Sequence, residues 1–235
     1  MLVVGFPAQA FSTNCYVVAP AAGEQCVVVD PGIGVEEQLD EVLREHRLQP
    51  VAVLLTHGHL DHTFSVTPVC GAKDIPAYIH PDDRDLLADP VKGLSPESKQ
   101  IFGGRLEWAE PSDVRMLEDG APLSLAGLEL TIDHAPGHTP GSVMYRLPAD
   151  GEFAPLCLSG DVLFAGSIGR TDLPGGSYDQ MMRSLATKVL PLPDEISVLP
   201  GHGPTTTIGR ERATNPYLRD LAAGEGAPLA PKRGL

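Results

Sequence analysis

An α+β fold, with helices packed on β-sheet, is predicted by three features of the sequence. Val27-Val28-Val29 is a β-branched run halted by the turn residues Asp30-Pro31-Gly32. From Val35 to Arg47, apolar residues recur at Val35, Leu39, Val42 and Leu43, the spacing of one buried helix face. Val51 to Leu55, following Pro50, is an unbroken apolar strand. Strand, helix and strand in succession require a sheet on which the helix can bury its stripe.

The first helix carries Glu36 and Glu37 at its start and Arg44 and Arg47 at its end, signs that suit the helix dipole. His46, near that end, reads as a partly exposed cap. Thr67-Pro68 resembles an N-cap followed by proline at the first helical position and predicts a short helix. Ala77 to Ile79 predicts a strand, and Pro81 to Ala88 a short acidic helix. Residues 90–125, which hold Trp108, read as a long loop or flap. Leu128 to Ile132, Val143 to Leu147 and Leu156 to Leu158 predict strands. Tyr178 to Leu190 predicts a helix with Met181, Met182, Leu185 and Val189 on one face. A last strand, Ile196 to Leu199, precedes a helical stretch over 208–221 interrupted near Pro216. One domain over 1–222 and a tail over 223–235 are expected.

Composition narrows the function classes. The chain has 235 residues, 42% hydrophobic and 20% charged, with a formal net charge of −14. That balance argues against a nucleic-acid or anionic-membrane surface, either of which calls for clustered Lys and Arg. No apolar run reaches 18 residues, so no membrane-spanning helix is expected. Met1 to Ala10 has no basic leader and does not read as a signal peptide. Cys15, Cys26, Cys70 and Cys157 are widely spaced and form no CxxC pair. They read as reduced, buried thiols of a cytoplasmic protein.

The histidines carry the chemistry. His57, His59, Asp61 and His62 pack four potential ligands into six residues after the strand ending at Leu55. Positions 57, 59 and 61 lie two apart, so an extended segment would project them to one side. Imidazole and carboxylate together suit Zn²⁺ and related divalent ions. So short a segment cannot wrap all its ligands around one ion. The reading therefore divides them, His57 and His59 to one ion, Asp61 and His62 to another. His138, Asp161 and His202, each just after a predicted strand, supply the remainder, and Asp161 has two oxygens with which to bridge. His134 shares a loop with His138 and is read as structural; His80 has no partner motif and is set aside.

These residues resemble the metallo-β-lactamase fold superfamily. Thr56-His57-Gly58-His59-Leu60-Asp61-His62 looks like its HxHxDH signature, and Val29-Asp30-Pro31-Gly32 like its earlier aspartate motif. Pro136-Gly137-His138-Thr139-Pro140-Gly141-Ser142, Ser159-Gly160-Asp161 and Pro200-Gly201-His202-Gly203 resemble its later metal loops. Asn14-Cys15-Tyr16 and Ile168-Gly169-Arg170-Thr171-Asp172 are similar to the glyoxalase II branch. The resemblance implies a four-layer αββα sandwich. It implies His57, His59 and His138 on a first metal, Asp61, His62 and His202 on a second, and Asp161 between them. Asp30 would orient the metal loop, and Arg170 would be a substrate contact. Only 33 residues follow His202 (235 − 202), fewer than the helical extension with which the long enzymes of that branch hold glutathione.

The expected activity is hydrolysis of a small-molecule thioester of a low-molecular-weight thiol. Two divalent ions, zinc first and iron or manganese also suited, would lower the pKa of a bridging water toward ~7. Asp61 would orient that water and manage its proton. A thiol leaves with a solution pKa of about 8.5 and needs little proton donation, unlike an amine. Rival readings are a mononuclear iron persulfide dioxygenase using His57, His138 and Asp161, a lactonase, and a metal-binding module without turnover.

Overall fold

The computed structural model describes residues 1–102, 108–151 and 153–224, with the side chains of residues 101 and 102 left aside. Two six-stranded sheets pack face to face. The first is formed by β1 (Leu2–Pro7), β2 (Asn14–Ala19), β3 (Gln25–Val29), β4 (Gln49–Leu54), β5 (Ala77–Ile79) and β6 (Val114–Met116), in that spatial order. The second is formed by β7 (Pro122–Leu125), β8 (Leu128–His134), β9 (Val143–Leu147), β10 (Leu156–Gly160), β11 (Ser197–Pro200) and β12 (Thr206–Thr207), again in chain order. The strands from β3 to β6 run parallel, as do β10 and β11, and the remaining pairs are antiparallel.

Strand alternation divides the core into three layers. Tyr16, Val18, Val27, Val29 and Leu54 of the first sheet meet Leu130, Ile132, Val143, Tyr145 and Leu158 of the second. The opposite face of the first sheet, with Val17, Val28 and Val53, packs on α1 (Glu36–Glu45) and on α3 (Val66–Lys73), which follows the one-turn α2 (Leu60–Thr63). Leu39 and Leu43 of α1 are buried there, each contributing about 1.5–3 kcal/mol. Cys157 and Val198 on the outer face of the second sheet pack against Met181, Ile208 and Leu218. These come from α6 (Tyr178–Ser184), α7 (Ile208–Thr214) and α8 (Pro216–Ala222), once α4 (Arg84–Ala88) and α5 (Pro96–Phe102) have been counted in chain order. The result is the expected αββα sandwich.

Several boundaries differ from expectation. The third helix begins at Val66, with Ser65 rather than Thr67 at its N-cap, so Pro68 falls inside the first turn. A proline is tolerated there because the first four N–H groups lack intrahelical partners anyway. Residues 90–125 are not one long loop: they hold a 3₁₀ turn at Pro90–Gly93, α5, β6 and β7. Residues 103–107 of that stretch, and 225–235 of the expected tail, lie outside the described residues. Pro216 divides two helices, starting the second at its first position with Asn215 as the cap. Among the described residues, no helix is long and apolar enough to cross a membrane. All four cysteines are buried and free.

Candidate metal centre

The functional loops leave the ends of β3, β4, β8, β10 and β11, so both sheets contribute to one edge. Asp30, just after β3, has a left-handed backbone with φ 49°. Its buried carboxylate accepts from the Thr56 N–H at 2.8 Å, from Thr56 Oγ1 at 2.6 Å and from His62 Nδ1 at 2.9 Å. Thus Asp30 is hydrogen-bonded at both ends of the segment from Thr56 to His62. His59 is extended and caps α2, whose first turn holds Asp61 and His62. The expected alternation therefore stops at His59: Asp61 is displaced by a helical turn, not by a pleat.

Two groups of donors converge. His57, His59 and His138 form one and Asp61, His62 and His202 the other, each with its atoms within 4.8 Å of one another. His138 Nε2 lies 3.2 Å from His57 Nε2 and 2.8 Å from His59 Nδ1. Nitrogens bound to one tetrahedral ion at 2.0–2.1 Å stand about 3.3 Å apart. In the second group, His202 Nε2 lies 3.2 Å from Asp61 Oδ2 and 3.3 Å from His62 Nε2. Asp161 reaches both: Oδ2 lies 3.5 Å from His138 Nε2, and Oδ1 3.4 Å from His62 Nε2.

Hydrogen-bond bookkeeping says what fits between these atoms. His138 Nδ1 donates to the Arg170 carbonyl at 2.7 Å, which leaves a lone pair on Nε2. Thr56 Oγ1 gives its proton to Asp30 and accepts from His57 Nδ1 at 3.1 Å, so His57 Nε2 also carries a lone pair. Two lone pairs facing each other at 3.2 Å repel unless a cation stands between them. Asp161 Oδ1 is buried without a hydrogen-bond partner. A lone-pair cluster with an orphaned carboxylate oxygen fits a pair of metal ions. Gly201 is required by the crowding: a β-carbon there would overlap Asp161 Oδ1 and stand 2.7 Å from His62 Cε1.

Electrostatics separates the two groups. Burial, reinforced by neighbouring imidazoles, holds His57 well below its usual value and His59 at about 3. His138 is lowered to about 4, again mainly by burial. Burial also opposes charge on His62, but Asp61, Asp161 and Asp30 outweigh it and push this imidazole up to about 10. His202 is raised by Asp61 and Asp161 against its burial. Asp61 is held below the carboxylate range by His62 and His202, although burial acts the other way.

The sign for metal binding follows. Histidines with lowered pKa are neutral at pH 7 and give up no proton to an ion, whereas His62 must lose one. Affinity at the Asp61–His62–His202 group should therefore fall about tenfold for each unit by which the pH is lowered, per proton displaced. Calorimetry at pH 7 in two buffers of different ionisation enthalpy should show no proton released at the three-histidine group and at least one at the other. Equal release in both steps would contradict the division.

Other residues behave differently from expectation. His134 is not in the His138 loop but ends β8 opposite Val143, and its ring stacks on His80 at 3.9 Å. His80, set aside in the sequence, thereby gains a partner, and Asp82 stands close to both. His46 is the C-cap of α1, as read. Arg170 lines the cleft over the donors, yet its guanidinium is committed to Asp172 through bonds of 2.7 and 2.8 Å.

Four supporting residues escaped sequence reasoning. Thr13 donates to Asp61 Oδ2 at 3.1 Å. Asn14 and Tyr16 hold the His202 loop through the Pro200 carbonyl at 2.9 and 2.8 Å. Buried Asp83 accepts from the Gly58 and Gly141 N–H groups at 2.8 and 2.7 Å and from Thr139 Oγ1 at 2.6 Å. The quoted Asn14-Cys15-Tyr16 motif was the available signal for two of them.

Helix-faced sheets with a histidine and aspartate cluster at their strand ends define a metal-binding αββα sandwich. The sequence profile of the Metallo-beta-lactamase superfamily matches residues 8–202, and the chain belongs to that superfamily. It is 36% identical to the hydroxyacylglutathione hydrolase GloC of Haemophilus influenzae, over 90% of this chain and 95% of that protein. Among solved structures, the BLEG-1 B3 metallo-beta-lactamase superposes with a TM-score of 0.81 at 38% identity, covering 92% of this chain and 99% of that one. TTHA1623 in a di-iron-bound form gives 0.74 at 39% identity, covering 92% and 100%.

Proposed function

We propose that the protein is a cytoplasmic, metal-dependent hydrolase of the glyoxalase II type, cleaving thioesters of a low-molecular-weight thiol. The observation carrying this reading is that the second donor group, Asp61, His62 and His202, stands complete beside the first and touches it through Asp161. The naming of the GloC relative supports the thioester substrate. His57, His59 and His138 would hold one ion, Asp61, His62 and His202 the other, and Asp161 would face both. When bound, such ions lower the pKa of water and polarise a carbonyl; zinc, iron and manganese all suit these ligands.

The chain's own groups do the rest. Asp61, ionised and facing the cleft, accepts the proton of the attacking water. Thr13 keeps its Oδ2 in place. Water oxygen bonds to the acyl carbon and the C–S bond breaks with its electron pair on sulfur. The sulfur leaves as thiolate and takes up the proton held on Asp61, while the carboxylic acid loses its proton to solvent, so the products are a carboxylate and a thiol. Arg170, already paired with Asp172, contributes little binding. Arg170→Ala is expected to raise KM less than about fivefold with kcat unchanged, measured by steady-state kinetics.

A second reading, a one-iron persulfide dioxygenase using His57, His138 and Asp161, draws on His138 Nε2 standing 3.2 Å from His57 Nε2 and 3.5 Å from Asp161 Oδ2. S-D-lactoylglutathione, other thioesters, lactones and a β-lactam should be assayed on one sample with metal stoichiometry measured. Thioester turnover at two ions per chain is expected. One iron per chain with oxygen uptake on glutathione persulfide would overturn the hydrolase.

A further inference from the structure

The cleft over the donors narrows the substrate class, given the hydrolase reading above. It encloses about 890 Å³, within the range of small-molecule sites. Phe11, Ile33, Phe64, Leu94, Phe164 and Leu173 line it. Phe11 is 64% exposed and Phe64 37%, although both rings would gain by burial. Phe11 and Ser12 also hold left-handed backbone, φ 61° and 54°, which side chains other than glycine resist. Both ends of the turn are tied. Ala8 donates to the Thr13 carbonyl at 2.7 Å, and Asn14 to the Gly201 carbonyl at 2.7 Å. The backbone thus presents an uncovered phenyl ring at the mouth of the site.

Charge points the same way. Apart from the donors, the charged residues lining the cleft, among those described, are Arg170 and Glu97. Arg170 is paired with Asp172. Nothing in that lining favours a carrier with two free carboxylates, such as glutathione.

We propose that the substrate is a thioester with an apolar acyl chain, aliphatic or aryl, seated between Phe11, Phe64 and Phe164, and that these rings determine specificity. Burying each methylene is worth about a threefold gain where the walls enclose it.

Trp108, the single tryptophan, lies 6.4 Å from Phe64 ring to ring, so binding is read by calorimetry, with its fluorescence as a second signal. Metal-loaded enzyme would be titrated with non-hydrolysable thioether ketones of N-acetylcysteamine, methyl through pentyl, and with the corresponding glutathione thioether. Acetyl to hexanoyl thioesters would be assayed in parallel. Dissociation constants are expected to fall about threefold per methylene, with the pentyl compound binding more tightly than the glutathione one. In Phe11→Ala and Phe64→Ala, the pentyl-to-methyl affinity ratio should shrink by about tenfold. The exposed position of Phe11 makes its variant the one safe for folding. Flat affinity along the series, tighter binding of the glutathione compound, or an unchanged ratio in Phe11→Ala overturns the proposal. Chain-dependent binding without thioester turnover would instead overturn the hydrolase reading and leave the apolar pocket standing.

Discussion

Replacing Asp61 by alanine is expected to lower kcat for thioester hydrolysis about a thousandfold, a loss of roughly 4 kcal/mol in transition-state stabilisation. The carboxylate has two duties that alanine cannot perform. It stands 3.2 Å from His202 Nε2 within the second donor group, and it faces the cleft with its pKa depressed by His62 and His202. The fold should survive, since the side chain is partly open to solvent and its hydrogen-bond donor, Thr13, can turn to water. Kinetics, metal content and a thermal melt on one preparation check this. The three-histidine group should retain its ion and Tm should move only a few degrees. A rate within tenfold of the parent would remove Asp61 from the mechanism.

Asp83→Ala is expected to cost about 3–5 kcal/mol of stability, lowering Tm by roughly 8–15 °C. The carboxylate is fully buried and accepts three hydrogen bonds, so alanine strands two backbone N–H groups and the Thr139 hydroxyl away from water. Two of these donors flank the site. Gly58 lies between His57 and His59, and Gly141 follows His138 by three residues. Metal affinity should fall with stability. Asp83→Asn, which keeps one acceptor, should lose less on both measures. Differential scanning calorimetry with and without added zinc reads both effects, and an unchanged melt would mean that Asp83 does not brace these loops.

The converging donors were legible because each strand announces its own end. Val51 to Leu55 points unambiguously at His57, and Val143 to Leu147 defines by exclusion the loop of His138. What alternation could not show was the helical turn that carries Asp61 and His62, since four residues are too few to display a 3.6-residue period. Asp83 was hidden for another reason. It sits in an acidic run that reads as solvated, and its partners lie 25 and 58 positions away. Arg170 was noticed for its side chain, whereas its fixed contact with the site is a carbonyl oxygen, which every residue possesses. Strands β6 and β7 escaped because their outward residues include Met116, 47% exposed, and no clean alternation marks them.

The chain finishes one sheet before beginning the next, with β1 to β6 on one side and β7 to β12 on the other. A ribosome therefore releases His57, His59, Asp61 and His62 a full 76 positions (138 − 62) ahead of His138. During synthesis the early cluster waits without its complement, and His202 emerges after nearly every other piece of the domain. If the two groups hold ions as proposed, both can be filled only after the second half docks on the first.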